Sequence, residues 1–198
     1  MTLKKRFSLL ACLLLLCLSL TACYSITLKE KHVEGINSSL TVKLPGNLQK
    51  LDFPVPVDPL TQRYFKGSRL YGEMDGGLYV AIYTNSIDTQ QMYTDLHIDK
   101  GQDISQRLNQ TAEAASQAVL EKIHIENFQA SQNNETTVSG QHAVSQTFTF
   151  TYQDKAMQAK LVGFATGADT WIVVVACDAN KKDKLDLADE VLQSIKIN

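Results

Sequence analysis

From His142 to Cys177 the sequence leaves the chain little choice of fold. Phe148, Phe150 and Tyr152 alternate with Thr147, Thr149 and Thr151, a two-residue period that suits a strand with two different faces. The segments Ala156–Ala165 and Thr170–Cys177 follow, joined through Asp154-Lys155 and Gly167-Ala168-Asp169. Links this short close hairpins and are too short for a parallel crossover, so an antiparallel meander is expected here. His124–Gln132 and Val138–Gly140 read as shorter strands leading into it. Upstream, Gly77–Thr84 reads as a strand with Leu78, Val80 and Ile82 on one face and Tyr79, Ala81 and Tyr83 on the other. Met74-Asp75-Gly76-Gly77 supplies a turn across which Leu70–Glu73 pairs. Leu40–Leu44 alternates as the first strand and stops at Pro45-Gly46.

Between the two groups of strands the period changes. Ile104, Leu108, Ala112, Ala115, Val119 and Ile123 are spaced at helical intervals, and Asp103 with Gln106 resembles a capping box. A helix over 103–123 is expected, its alanines allowing close approach to a sheet. A second helix is expected over Lys184–Ile195, with Asp183 as cap and Lys181-Lys182-Asp183-Lys184 as a solvated start. Phe53–Pro59 holds three of the four prolines and reads as an extended surface crossing. The order of elements predicts an α+β domain, an antiparallel sheet flanked by helices, over residues 40–198. A 198-residue chain that is 44% hydrophobic and 20% charged suits one such domain.

The first residues are of another kind. Lys4-Lys5-Arg6 precedes a 14-residue apolar stretch, Phe7–Leu20, which is short of the roughly 20 residues a membrane-spanning helix needs. The stretch ends in Leu20-Thr21-Ala22-Cys23, which resembles the lipobox of bacterial lipoproteins. The resemblance implies a signal peptide over residues 1–22, cleavage before Cys23, and acylation of the Cys23 sulfur. It also implies a lipid-anchored, extracytoplasmic protein whose partner is the membrane. Tyr24 is not the aspartate that retains many lipoproteins at the inner membrane of enteric bacteria, which favours an outer membrane if the host has one. Residues 23–39 then read as a lipidated cysteine and polar tether, with room for a short edge strand. If flexible, that tether spans on the order of 20 Å. Of four cysteines, Cys12 and Cys17 leave with the signal and Cys23 is alkylated, so Cys177 is unpaired and reads as a buried strand thiol.

Leu40-Thr41-Val42-Lys43-Leu44-Pro45, the mid-chain helix, Gly140-Gln141-His142-Ala143 opening a long hairpin, and Ala188–Ile195 together resemble the PsbP/DcrB family of α/β/α sandwich domains. That resemblance implies a non-catalytic adaptor or accessory role beside another envelope protein. It supplies no binding residue to carry over.

No enzyme motif is present: no Gly-x-Ser-x-Gly, P-loop, His-Glu-x-x-His or Cys-x-x-Cys. No catalytic or cofactor-binding residue is therefore assigned, and no cofactor is expected. The nearest thing to a metal site is Asp95-Leu96-His97-Ile98-Asp99 with Asp103 beyond. An extended chain puts Asp95, His97 and Asp99 on one face, but a solvated face before a helix explains them as well. Tyr64, Phe65, Tyr71, Tyr79, Tyr83 and Tyr93 line either a ligand cleft or simply a sheet face. Lys4, Lys5 and Arg6 are three of the 19 basic residues, and without them the balance against 21 acidic residues is −5. Such a domain is poorly suited to nucleic acid. The expectation is an adaptor; a ligand-binding lipoprotein with an aromatic cleft over 64–93, or a metal-dependent enzyme using 95–103, are the alternatives.

Overall fold

The β-branched run in Trp171–Val175 forms the middle of the fold, because such residues pack well on a pleated surface covered by other elements. The structure is a computed structural model; residues 26–52, 63–95, 97 and 125–198 are described. The strands are β1 (Lys29–Glu34), β2 (Ser39–Leu44), β3 (Gln49–Leu51), β4 (Phe65–Asp75), β5 (Leu78–Ile87), β6 (Glu126–Ala130), β7 (Asn134–Val138), β8 (Gln141–Tyr152), β9 (Lys155–Thr166), β10 (Asp169–Asp178) and β11 (Lys196–Ile197). Two helices join them among the described residues, α1 (Thr89–Asp95) and α2 (Lys182–Gln193). The large sheet runs β3-β4-β5-β10-β9-β8-β6, with β7 also on β8, and a small sheet runs β1-β2-β11. Every pairing is antiparallel.

The large sheet has one face in the core. Leu78, Val80 and Ile82 of β5 lie opposite Cys177, Val175 and Val173 of β10, and all six are buried. Onto them pack Val33, Leu40, Val42 and Leu44 of the small sheet, Ala188 and Val191 of α2, and Ile195. Trp171 is fully buried, and its indole N–H donates to Ser38 Oγ at 3.0 Å. The chain passes over this ring at Gly35, where a Cβ would run into the indole and the Ser38 carbonyl oxygen.

The expected α+β class with antiparallel pairing is present, weighted toward strands. The 103–123 helix and the Phe53–Pro59 crossing lie outside the described residues. Several expectations need correction. Lys29–Glu34, read within a tether with room for a short edge strand, is a six-residue strand paired residue for residue with Ser39–Leu44. Ordered structure therefore begins well before Leu40. The strands expected over His124–Gln132 and Val138–Gly140 are the two halves of one interrupted edge against β8. At the break, Ser131 N–H donates to the Thr147 carbonyl and Thr147 N–H to Ser131 Oγ. A broken edge of this kind resists pairing with a foreign strand. Helix α2 starts at Lys182, and Asp183 sits inside its first turn while Lys181 takes the cap position with no side-chain bond. The reason is the tight turn before it, in which the Asp178 side chain and carbonyl accept from the N–H groups of Asn180 and Lys181.

Candidate functional site

The 95–103 cluster does not form as an extended ligand set. Asp95 ends helix α1, and His97 has φ 50°, in the left-handed region, so the two do not alternate along a strand. Asp95 faces Arg63 instead, Oδ2 to Nε at 3.8 Å. Asp99 and Asp103 lie outside the described residues. Among the described residues no group of three or more His, Cys, Asp or Glu is placed to hold a metal ion. Helix α1 has its own cap, which sequence reading missed: Asp88 Oδ1 accepts from Gln91 N–H at 3.0 Å, and Lys66 Nζ lies 3.3 Å from its other oxygen. These bonds, the Gln91 one foremost, hold the Asp88 carboxyl below its ordinary range. The Asp88–Gln91 spacing is the signal that marks it. Asp88, Gln90, Gln91, Thr94 and Asp95 line a shallow, open depression of about 330 Å³, with no aromatic residue among them.

Among the described side chains of 64–93, Tyr64, Tyr71, Tyr79 and Tyr83 divide between different environments. Tyr64 is buried beneath the Arg63 guanidinium, 4.7 Å from its ring centre. Tyr71 points to the core face, opposite Ile82, and its hydroxyl donates to the Glu34 carbonyl at 2.9 Å. Tyr79 and Tyr83 point to the other face. Burial pushes the Tyr83 phenol up, partly offset by the Asn85 amide that donates to it at 2.9 Å. Sheet packing accounts for Tyr71, Tyr79 and Tyr83; the Phe65 side chain lies outside the described residues.

The densest polar cluster is one that sequence reading missed. Asp169, fully buried, accepts from Asn37 N–H (2.7 Å), Ser38 N–H (2.9 Å) and Ser38 Oγ (2.7 Å) on one oxygen, and from Asn37 Nδ2 (2.8 Å) on the other. Burial alone would raise its pKa, but these bonds outweigh it and hold the carboxyl below its ordinary value. Asn37 Nδ2 also donates to Ser86 Oγ at 3.0 Å. With every oxygen satisfied, the cluster is built to pin the β1–β2 turn to the β9–β10 turn; it has no open position for a reactant. Cys177, 1% exposed on the core face, has its thiol pushed up by burial and suits a packing role as expected. Cys23 lies outside the described residues.

The second face of the large sheet is the one surface with a pattern. One cross-strand row reads Met74, Tyr79, Ala176, Ala159, Phe148, Ala130, with Phe128 stacked on Phe148 at 5.4 Å. The next two rows carry Gly72, Ala81, Val174 and Leu161, then Leu51, Leu70, Tyr83, Ile172 and Gly163. The large apolar side chains left exposed among the described residues are Leu51 (43%), Met74 (72%), Tyr79 (42%) and Phe128 (41%), and all four belong to this face. Alanines stand in the middle of the first row, with Met74 and Tyr79 toward one end and Phe148 and Phe128 toward the other. The alternation in β5 made Tyr79 visible on a second face from sequence; the row itself depends on register across six strands.

No family model matches the sequence, and no curated protein matches it. Solved structures similar to the chain include cyanobacterial PsbP (CyanoP) from Synechocystis sp. PCC 6803, at 13% identity over 89% of this chain and 96% of that one, with a TM-score of 0.47. LpqN, involved in cell envelope biogenesis of Mycobacterium tuberculosis, is 13% identical over 86% of this chain and 91% of that one, with a TM-score of 0.39. The Saccharomyces cerevisiae Ran-binding protein Mog1p is 12% identical over 86% and 96%, with a TM-score of 0.40.

Proposed function

We propose that this chain is an extracytoplasmic lipoprotein, held by acyl chains on Cys23, that acts as a non-catalytic adaptor for another envelope protein through the second face of its large sheet. The observation that carries this is the gathering of Leu51, Met74, Tyr79 and Phe128 on that one face. Single exposed apolar side chains need no explanation, whereas four that share one sheet face, at its two ends, favour a contact there. The anchoring half rests on Lys4-Lys5-Arg6, the apolar stretch and Leu20-Thr21-Ala22-Cys23. Two acyl chains give stable attachment where one is marginal. Tyr24 in place of aspartate favours an outer membrane if the host has one.

The α/β/α arrangement belongs to the same reading. Strands β5 and β6 point the same way with β10, β9 and β8 between them. The core face is already filled by the small sheet and α2.

A photo-crosslinking side chain at Met74 or Tyr79, in the acylated protein in its own membrane, should trap a discrete protein band that the same group at Lys196 does not. Equal trapping at all three positions would sink the adaptor reading. Anchoring is tested by fatty-acid labelling: Cys23→Ser should lose the label and stay uncut, and equal label in parent and variant would overturn it.

A further inference from the structure

We infer that the end of the domain bearing the β4–β5 turn lies directly on the lipid headgroups, with the Asp169 end pointing away from the membrane; this rests on the acylation of Cys23 proposed above. Ile26 is already packed into the domain: a Cβ added at Gly76 would lie 3.0 Å from Ile26 Cδ1 and 3.4 Å from Pro45 Cβ. Only Tyr24 and Ser25 therefore separate the anchor from a seated residue. Three Cα steps of about 3.8 Å reach roughly 11 Å at full extension. The headgroup region on each side of a bilayer is roughly 5–8 Å deep. Most of the span expected of a 16-residue flexible tether is taken up by β1, so the domain has no room to stand off or turn over.

The elements at this end follow from contacts. Gly46 N–H donates to Glu73 at 3.3 Å beside the β4–β5 turn. A Cβ at Gly77 would meet Lys184 Cε at 3.2 Å, and Ala179 N–H donates to the Ala156 carbonyl at 2.9 Å. The N-terminus of α2 and the β8–β9 turn thus share it. Exposed charges here are of both signs, Lys29, Lys155, Lys181 and Lys182 against Asp75, Asp154 and Asp183. The surface it fits is accordingly a phospholipid headgroup layer of any net charge, with the acyl chains and not charge doing the holding. The far end holds the Gly35–Ser38 segment and the Gly167-Ala168 turn, separated from the near end by the length of β10, roughly 30 Å at 3.3 Å per residue.

The test uses the full acylated chain in vesicles carrying a quencher on the lipid headgroup. A fluorophore is attached at Asn180→Cys or at Ala168→Cys; both positions are exposed and lie in turns at opposite ends. Buried Cys177 serves as the internal check, since it should stay unlabelled in a folded sample. The expected result is loss of most of the emission at position 180 and little at 168. A flexible insertion of about ten residues between Ser25 and Ile26 should lower the quenching at 180. Equal quenching at the two positions, or more at 168, overturns the orientation while leaving the anchor intact if Cys23 still carries fatty-acid label. A sample without that label overturns the anchor and the orientation together.

Discussion

Replacing Asp169 by asparagine barely changes the shape of the side chain and removes its charge. Three donors converge on one carboxylate oxygen and a fourth reaches the other. An amide presents a donor on one of those two sides, so whichever way it lies, at least one N–H faces another donor. A hydrogen bond to a charged group is worth about 1.5–3 kcal/mol net, but four bonds to one group are not additive, because losing any of them lets the turn relax toward water. The cost at neutral pH should be about 3–4 kcal/mol, near what breaking a buried charged pair costs. A domain of this size shifts by roughly 2–4 °C per kcal/mol, so Tm should fall by about 6–16 °C. Charge neutralisation of Glu30, whose Lys196 partner is 3.7 Å away and exposed, should cost under about 1 kcal/mol by comparison. The folded Asp169 carboxyl binds its proton more weakly than the unfolded one, so this contribution is present at neutral pH and lost as pH falls below the ordinary carboxylate range. Parent and variant melts should therefore converge in acid. A variant within about 1 kcal/mol of the parent at neutral pH, or a gap that stays constant down to acid pH, would refute the account.

Glu73 should behave in the opposite sense. Burial, with Asp75 adding to it, raises its pKa against the Gly46 N–H and Lys31, and its Oε2 is buried with no hydrogen-bond partner. Ionisation therefore costs stability, and Glu73→Gln should be neutral or stabilising at neutral pH, with the gain vanishing in acid; urea melts at the two pH values decide it. Cys177 should resist a thiol reagent in the native domain and react on unfolding, read by mass spectrometry over time. Gly35→Ala should destabilise by about 2 kcal/mol or more through its collision with Trp171, and a melt unchanged from the parent would contradict the close approach.

What the sequence revealed and what it hid have a common cause. Strands β5, β8, β9 and β10 were legible because one or both of their faces are covered and short turns bound them. Strand β1 was legible only as room for a short edge strand, since in Lys29-Glu30-Lys31-His32-Val33-Glu34 only Val33 is buried, the composition of a protected edge. Strand β3 is exposed along its whole length and shows no alternation at all. Helix α1 is one seven-residue piece with Met92 as its buried residue among those described, too short for a helical stripe to appear. The Asp169 cluster joins residues 132 positions apart, and Asp169 reads from sequence as an ordinary hairpin-turn aspartate. The Asp95-x-His97-x-Asp99 spacing, a weak metal candidate beside the solvated-face reading, presumes an extended chain, whereas Asp95 ends a helix and His97 is left-handed.

The boundary at Leu40 gives the last prediction, because the sequence placed the start of the domain there and the structure does not. A protein beginning at Leu40 lacks Val33, whose burial is worth about 1.5–3 kcal/mol. It also lacks Gly35–Ser38, the cover of Trp171, and with it every hydrogen bond described to Asp169. A buried carboxylate stripped of its partners costs about 3–5 kcal/mol until it is protonated or escapes to solvent. Together with the open edge left on β2, these losses approach the about 5–15 kcal/mol that a whole domain has. A protein beginning at Ser25 keeps Ile26 on the β4–β5 turn and all of β1. The single tryptophan of the chain reports the difference directly. The longer form should show a structured near-ultraviolet dichroism signal from Trp171 and a protected Cys177, while the shorter form should lose the signal and expose the thiol. If the protein beginning at Leu40 keeps both and melts within a few degrees of the longer form, β1 is a detachable tether after all, and the membrane-facing orientation loses its footing with it.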